Sequence, residues 1–267
     1  MKFSKLGFTT ALVAVTMFAV STQPARADSL SDIKNAKKVR IGIDLGLPPY
    51  GMMDDKLQPA GVDVEVARKL AADLGVELEI VSSTGASRVP NLQTNKADLI
   101  ISTLSITPER AKVIDFSVPY MPIQTIVFAP KSMAIKGMDD LSGKKVATSR
   151  GTGMDTQLTR EAKGANIVRY EDDATLMTAA ITGQADIIGG TGAHLATVMD
   201  KNPGRQMERK FVMQNFHAAI GLRKNEPELL AWVNQWVKTN LNNGTINAIY
   251  RKHLKDDLPK DIMDGAR

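Results

Sequence analysis

Ser102–Tyr120 reads STLSITPERAKVIDFSVPY and follows the apolar run Ala97-Asp98-Leu99-Ile100-Ile101. That run is too short for an ordinary helix and reads as a buried strand. The hydroxyls Ser102, Thr103 and Ser105 therefore come at or just past a strand end, where an α/β sheet presents its ligand crevice. Thr107-Pro108-Glu109-Arg110 carries the marks of a helix start, a Thr N-cap followed by Pro at the first helical position. Arg110 falls in that first turn, where a cation gains nothing from the helix dipole. Its planar fork suits a carboxylate gripped by two parallel charge-assisted hydrogen bonds. On residue types alone, the same groups also fit turn caps and a solvated arginine.

Working outward, Lys38–Asp44 alternates like a strand and ends in the turn-rich loop Leu45–Tyr50, which puts Asp44 at a strand tip. Val62, Val66, Leu70 and Leu74 recur at helical spacing with Gly75 as the stop, and a strand over Glu77–Val81 follows. This β-α-β order builds a largely parallel sheet covered on both faces. Ser87-Arg88-Val89-Pro90-Asn91-Leu92 reads as a helix entry, with Arg88 either beside the strand tip or solvated.

Thr94–Ile100 (TNKADLI) is echoed by Thr182–Ile188 (TGQADII), a helix end, a turn and a buried strand in each case. The second copy sits among further alternating elements: strand Lys144–Thr148, helix Met154–Lys163, strand Asn166–Tyr170, helix Ala174–Thr182, strand Asp186–Gly189, helix Ala193–Asp200. Two similar α/β lobes suit this length better than one oversized sheet. Extended segments at Gln124–Pro130 and Ala218–Arg223 are expected to cross between them, with residues 28–128 and 217–267 forming lobe one and 129–216 lobe two. Leu229, Leu230, Val233, Trp236 and Val237, at helical spacing, would pack back on lobe one; Trp232 and Trp236 then serve packing rather than an aromatic ligand box.

Residues 1–27 combine Lys2 and Lys5, an apolar run from Leu6 to Val20 and Ala25-Arg26-Ala27, the pattern of a cleaved secretory signal peptide. Removing those three cations lowers the formal net charge from +5 to +2, which argues against a nucleic-acid partner. The chain has no cysteine, hence no disulfide and no lipid-bearing N-terminal Cys, and this points to the periplasm of a Gram-negative cell. His194, His217 and His253 are dispersed, so no metal or other cofactor is expected, and each reads as a surface or capping residue. The pairs Asp54-Asp55, Asp139-Asp140, Asp172-Asp173 and Asp256-Asp257 read as solvated turn acids without a role.

The ordered string of a strand, a Ser/Thr cluster, I-T-x-x-R and F-S-x-P-Y resembles the signature of the periplasmic solute-binding proteins of polar amino acid ABC transporters, a family with the type II periplasmic binding fold. The resemblance runs through nearly the whole chain after the leader. It implies that Arg110, Ser105 and Thr152 hold a ligand α-carboxylate, with Ser102 and Thr103 beside them. Arg88 matches an R-I-P arginine that faces the ligand in some members, including binders of acidic amino acids. Lobe two would contribute Ser149-Arg150-Gly151-Thr152-Gly153-Met154, whose glycines and helix-start N–H groups make an anion cradle. A phosphate loop is the rival there, but no G-K-[ST] follows.

Two departures bear on the ligand. Thr191 stands where the family commonly has an Asp for the ligand ammonium, and the flanking aromatic positions are Leu47 and Gly85. Either Asp44 meets the ammonium or the ligand lacks one; a neutral or small polar amino acid is favoured over a deaminated carboxylate. The implied partners are this small molecule and the permease subunits in the inner membrane, with the protein a monomer. The rivals are a cyclohexadienyl dehydratase-like enzyme, which would need a placed general acid, and a sensory ligand-binding protein.

Overall fold

The computed structural model describes residues 29–265, so the expected signal peptide lies outside the described residues. The strands are β1 (Lys38–Ile43), β2 (Met52–Met53), β3 (Pro59–Ala60), β4 (Glu77–Ser82), β5 (Leu99–Ile100), β6 (Ile114–Phe116), β7 (Met121–Pro130), β8 (Lys145–Ser149), β9 (Asn166–Tyr170), β10 (Ile188–Thr191), β11 (Met207–Ala218) and β12 (Gly221–Arg223). They form two five-stranded sheets, ordered β4-β1-β5-β12-β6 and β11-β7-β10-β8-β9, with β2 and β3 as a small hairpin. In the first sheet β1 runs parallel to β4 and β5, and β12 runs antiparallel to β5 and β6.

Each sheet buries apolar residues on both faces, as parallel strands under crossover helices must. One core joins Val39, Ile41 and Ile43 of β1 to Val66 and Leu70 of the helix Val62–Leu74 and to Val233, Trp236 and Val237 of the helix Pro227–Asn242. The opposite face packs Leu92, Ile100, Leu104 and Ile114. Gly75 ends its helix in the left-handed conformation (φ 74°), where an L side chain would be strained. Trp236 is packed into the core and its indole N–H donates to Asp73 at 2.7 Å.

The two sheets are tied by β7 and β11, which pair antiparallel from Met121 opposite Ala218 to Pro130 opposite Met207. Met121 and Ile123 belong to the first core, whereas Ile126 to Ala129 belong to the second, so β7 leaves one and enters the other. The crossing expected at Ala218–Arg223 is thereby corrected. The returning strand is Met207–Ala218, and Gly221–Arg223 is an interior strand of the first sheet. A short apolar run in sequence cannot tell a crossing strand from the buried strand that follows it.

The sequence echo is structural. Asn95 (φ 59°) and Gly183 (φ 85°) both take the left-handed turn after a helix, and Leu99 and Ile188 then enter β5 and β10. The acid of each copy holds an arginine from elsewhere: Asp98 takes two side-chain hydrogen bonds from Arg40 (2.6 and 3.1 Å), and Asp186 one from Arg205 (2.7 Å). Asp98 also lies 3.7 Å from the buried Arg223. Arg223 keeps its pair with Glu226 (3.2 Å) and Arg40 is a third exposed, so losing Asp98 costs chiefly its two charged hydrogen bonds, about 3 kcal/mol together. Asp98→Ala is therefore expected to lower Tm by roughly 6–12 °C, read by thermal unfolding; an unchanged Tm would show that Arg40 and Arg223 are satisfied without it.

Candidate functional site

The Ser/Thr cluster after β5 is braced from below. Tyr120 donates its hydroxyl to Asp63 at 3.0 Å, and Asp63 also accepts the Thr103 backbone N–H. Thr103 needs this support, because a β-branched residue at φ 42° is strained. Ser117 of the same string exchanges backbone and side-chain hydrogen bonds with Ile220 just before β12. The residues of F-S-x-P-Y thus hold the turn that carries Ser102 to Ser105.

Across from this turn lie the ends of β8 and β10 and the helices Gly153–Glu161, Asp173–Thr182 and Gly192–Lys201. The lobes touch. A Cβ on Gly85 would come within 2.6 Å of the Arg150 carbonyl and 2.7 Å of Thr152 Cγ2, and one on Gly46 within 3.3 Å of the Ala174 nitrogen. Between them is a cavity of about 20 Å³ lined by Leu47, Tyr50, Arg88, Thr103, Ser105, Ile123, Thr152, Gly153, Met154, Asp173 and Thr191. That holds about one water molecule, so a ligand of amino-acid size enters only when the lobes part. A groove of about 750 Å³ near Lys144, Val168 and Tyr170 is larger, but its lining comes from lobe two alone.

Of the residues singled out in sequence, Arg88, Thr103, Ser105, Thr152 and Thr191 line this cavity. Arg88 is buried, which settles its orientation, and donates to Asp44 at 3.2 Å. Asp44 takes the Gly46 N–H on its other oxygen, so both its oxygens are engaged within lobe one; burial pushes this carboxyl up and Arg88 pulls it back. Ser102 is fully buried and accepts the Asp44 backbone N–H at 2.9 Å, a scaffold role. The Thr152 hydroxyl caps the helix Gly153–Glu161, accepting from Asp155 N–H and donating to the Ser149 carbonyl. Arg150 is at the surface with Glu171 and does not join the site.

Arg110 is buried and pairs with no acid among the described residues. It donates to the Ser105 carbonyl (2.9 Å) and, across the cleft, to the Gly151 carbonyl (3.0 Å). Burial, aided by repulsion from Arg88, pushes its guanidinium down to about 9. The Gly151 carbonyl is available there because Gly151 adopts φ 71°, and a side chain on it would strike Ala86 of lobe one.

Lobe two corrects one expectation and narrows another. Of the two readings of His194, capping holds, in a capping box with Thr191, but the residue is fully buried; Asp173 is not a solvated turn acid but 2% exposed against the cavity. Asp172 takes the solvent-side duty, capping the helix through Thr175 N–H. Asp173 Oδ1 receives hydrogen bonds from the Ser149 hydroxyl and from His194 Nε2 (3.1 Å). His194 Nδ1 accepts the Thr191 backbone N–H at 2.9 Å, which fixes the ring proton on Nε2. A doubled acid in a turn reads as solvated until the fold shows which member faces inward.

Beneath Arg88, burial pushes the Asp63 carboxyl up to about 7, against the Tyr120 hydrogen bond. The folded value lies above that of an unfolded Asp, about 3.9, so the native state binds the extra proton between the two. The resulting stability is present at acid pH and is lost as pH rises through about 7. Asp63→Asn, which keeps an oxygen for Tyr120, is expected to raise Tm more at pH 8 than at pH 5. An equal shift at both values would mean that Asp63 is ionised throughout.

Residues 39–256 match the family model of bacterial extracellular solute-binding proteins, family 3. The chain is 28% identical to the L-cystine-binding protein of Escherichia coli K12, over 93% of this chain and 95% of that one. The cysteine-binding protein of Campylobacter jejuni superposes with a TM-score of 0.81 at 26% identity, covering 88% of this chain and 98% of that chain. An ancestral amino acid-binding protein described as a precursor of cyclohexadienyl dehydratase superposes at 0.75 with 31% identity, over 84% and 99%. The chain therefore belongs to the family 3 bacterial extracellular solute-binding proteins, and its two sheets joined by crossing strands are the type II periplasmic binding fold.

Proposed function

We propose that this protein is the substrate-binding component of an ABC importer, closing on a small amino acid or amino-acid-like carboxylate and delivering it to permease subunits in the inner membrane. The observation that carries this reading is Arg110, a buried guanidinium at the lobe junction with two carbonyls and no carboxylate. A carboxylate there replaces a neutral acceptor by a charged one, the pairing that a desolvated guanidinium favours most. Ser105, Thr152 and the N–H groups at the start of the helix Gly153–Glu161 complete the cradle. The names of the relatives add L-cystine and L-cysteine to the ligands worth testing. The protein acts in the periplasm as a monomer after loss of residues 1–27.

The lobes of this reading are 28–128 with 217–267, and 129–216. Core membership supports two such lobes with slightly shifted bounds: the first core runs from Ile33 to Ile123 and resumes at Phe216, while Ile126 to Met213 pack around the second sheet. Contacts made by both lobes favour the closed state, so binding becomes a conformational signal for the permease.

A dehydratase needs a carboxyl with a proton to give. Hydrogen bonds from His194 and Ser149, with the charge of Arg88, hold Asp173 below the usual range against its burial, and Asp44 is paired with Arg88. Asp63 does keep a proton near neutrality, yet it is turned to Tyr120 and does not line the cavity. Binding without chemistry is the better fit, and incubation with prephenate or arogenate is expected to yield no product.

A thermal-shift panel of the proteinogenic amino acids and L-cystine, with their deaminated counterparts, tests the ligand class. A ligand at a hundred times Kd adds about 2.7 kcal/mol of stability. Arg110→Ala is expected to cost the best ligand about 2–5 kcal/mol of affinity while the fold survives; wild-type affinity would remove Arg110 from the site. Small-angle scattering should show compaction on binding in the wild type. Gly85→Val, which places a side chain against Arg150 and Thr152, should fold normally yet lose that compaction.

A further inference from the structure

Asp173 is the charged group of the cleft that the sequence signature does not account for. It is 2% exposed, lines the cavity, and stands at the first position of the ten-residue helix Asp173–Thr182. No lysine or arginine pairs with it among the described residues. Its partners are the Ser149 hydroxyl and His194 Nε2–H, and the Thr191 N–H on Nδ1 fixes the ring so that Nε2 faces the carboxylate. Both donors meet the same oxygen, Oδ1. The carboxylate is thus oriented by these two donors and kept ionised by them, by the nearby charge of Arg88 and by the helix N-terminus, with its second oxygen left for another donor.

The opposite lobe carries the complementary surplus. Arg88 is matched there by Asp44, whose oxygens are both engaged, and Arg110 is matched by two carbonyls and no acid among the described residues. Asp63 is turned toward Tyr120. A closed, nearly dry cleft therefore presents a guanidinium without an anion from lobe one and a carboxylate without a bonded cation from lobe two. Two such charges are costly to bury and are relieved together only by a ligand bearing both signs.

We infer that Asp173 is the second-lobe acceptor for a cationic nitrogen of the ligand, oriented by His194 and Ser149, so that the protein takes zwitterionic amino acids and rejects carboxylic acids lacking an ammonium. This rests on the proposed binding function and names its ligand class. Thr191 cannot do the same work, because its hydroxyl caps the helix Gly192–Lys201 and carries no charge. The charge stands instead at the start of the neighbouring helix, where Thr191 and His194 aim it.

The test is isothermal titration calorimetry with matched pairs that differ only by the ammonium: L-alanine and propionate, L-cysteine and 3-mercaptopropionate, L-glutamine and 4-carbamoylbutyrate. Wild-type protein is expected to prefer the amino acid of a binding pair by roughly 30-fold or more, the loss for unpairing a buried charge. Asp173→Asn should collapse that preference by weakening the amino acid alone. Asp173→Ser, a second charge-free variant that still offers Ser149 and His194 an acceptor, should behave alike if Asp173→Asn fails to fold. Equal affinity for both members of a pair, or a folded variant that keeps the full preference, overturns the role of Asp173 and leaves the transport reading standing. Binding of no member of any pair, nor of any compound in the thermal-shift panel, overturns the transport reading itself.

Discussion

A guanidinium taken out of water without a counter-ion is among the most expensive groups a protein can bury, and the cleft is arranged around one. Arg110 is held by the Ser105 carbonyl of its own lobe and the Gly151 carbonyl of the other, so its desolvation depends on closure. The surroundings follow from that constraint. Thr107 caps the single turn that carries Arg110, and the Tyr120–Asp63 pair pins the strained Thr103 turn beside it. Glycine at 85 and 151 lets the backbones of the two lobes come close enough to share the charge.

Closure in turn depends on β7 and β11. Each belongs to one core at one end and to the other core at the other end, and the register irregularities in their pairing fall between Arg209 and Gln214. A two-strand connection resists sliding of the lobes while allowing them to rotate, the hinge type of domain motion. The same geometry explains why the site is small when shut. Side chains from both lobes fill the space that a ligand would occupy.

The cleft separates its charges by lobe. Lobe one carries Arg88 paired with Asp44 together with Arg110, which has no acid partner among the described residues, and lobe two carries Asp173 held by Ser149 and His194. Such an arrangement discriminates by leaving a buried group unsatisfied when the wrong ligand enters, a stronger filter than added apolar contact.

Much of the fold was legible in sequence, because helix and strand periodicities are local. Val62 to Leu74, the alternation of Lys38 to Asp44 and the repeated helix-turn-strand around Asp98 and Asp186 all stand near where their spacing puts them. Arg110 and Ser105 were singled out by the ordered string, Thr152 by its glycine-flanked turn, and Arg88 as a candidate with two orientations. The second-lobe site was not. Ser149 ends β8, Asp173 and His194 follow β9 and β10, and only the parallel order of β9, β8 and β10 brings those strand ends together. The inward turn of Asp173 beside an outward Asp172, and the burial of a histidine that also caps its helix, are decided by packing between elements far apart in the chain. Local spacing marked out the helices and strands, and the ordered string singled out the arginines; only the tertiary structure decided which acid lines the cavity beside Arg88, because that choice is a matter of burial.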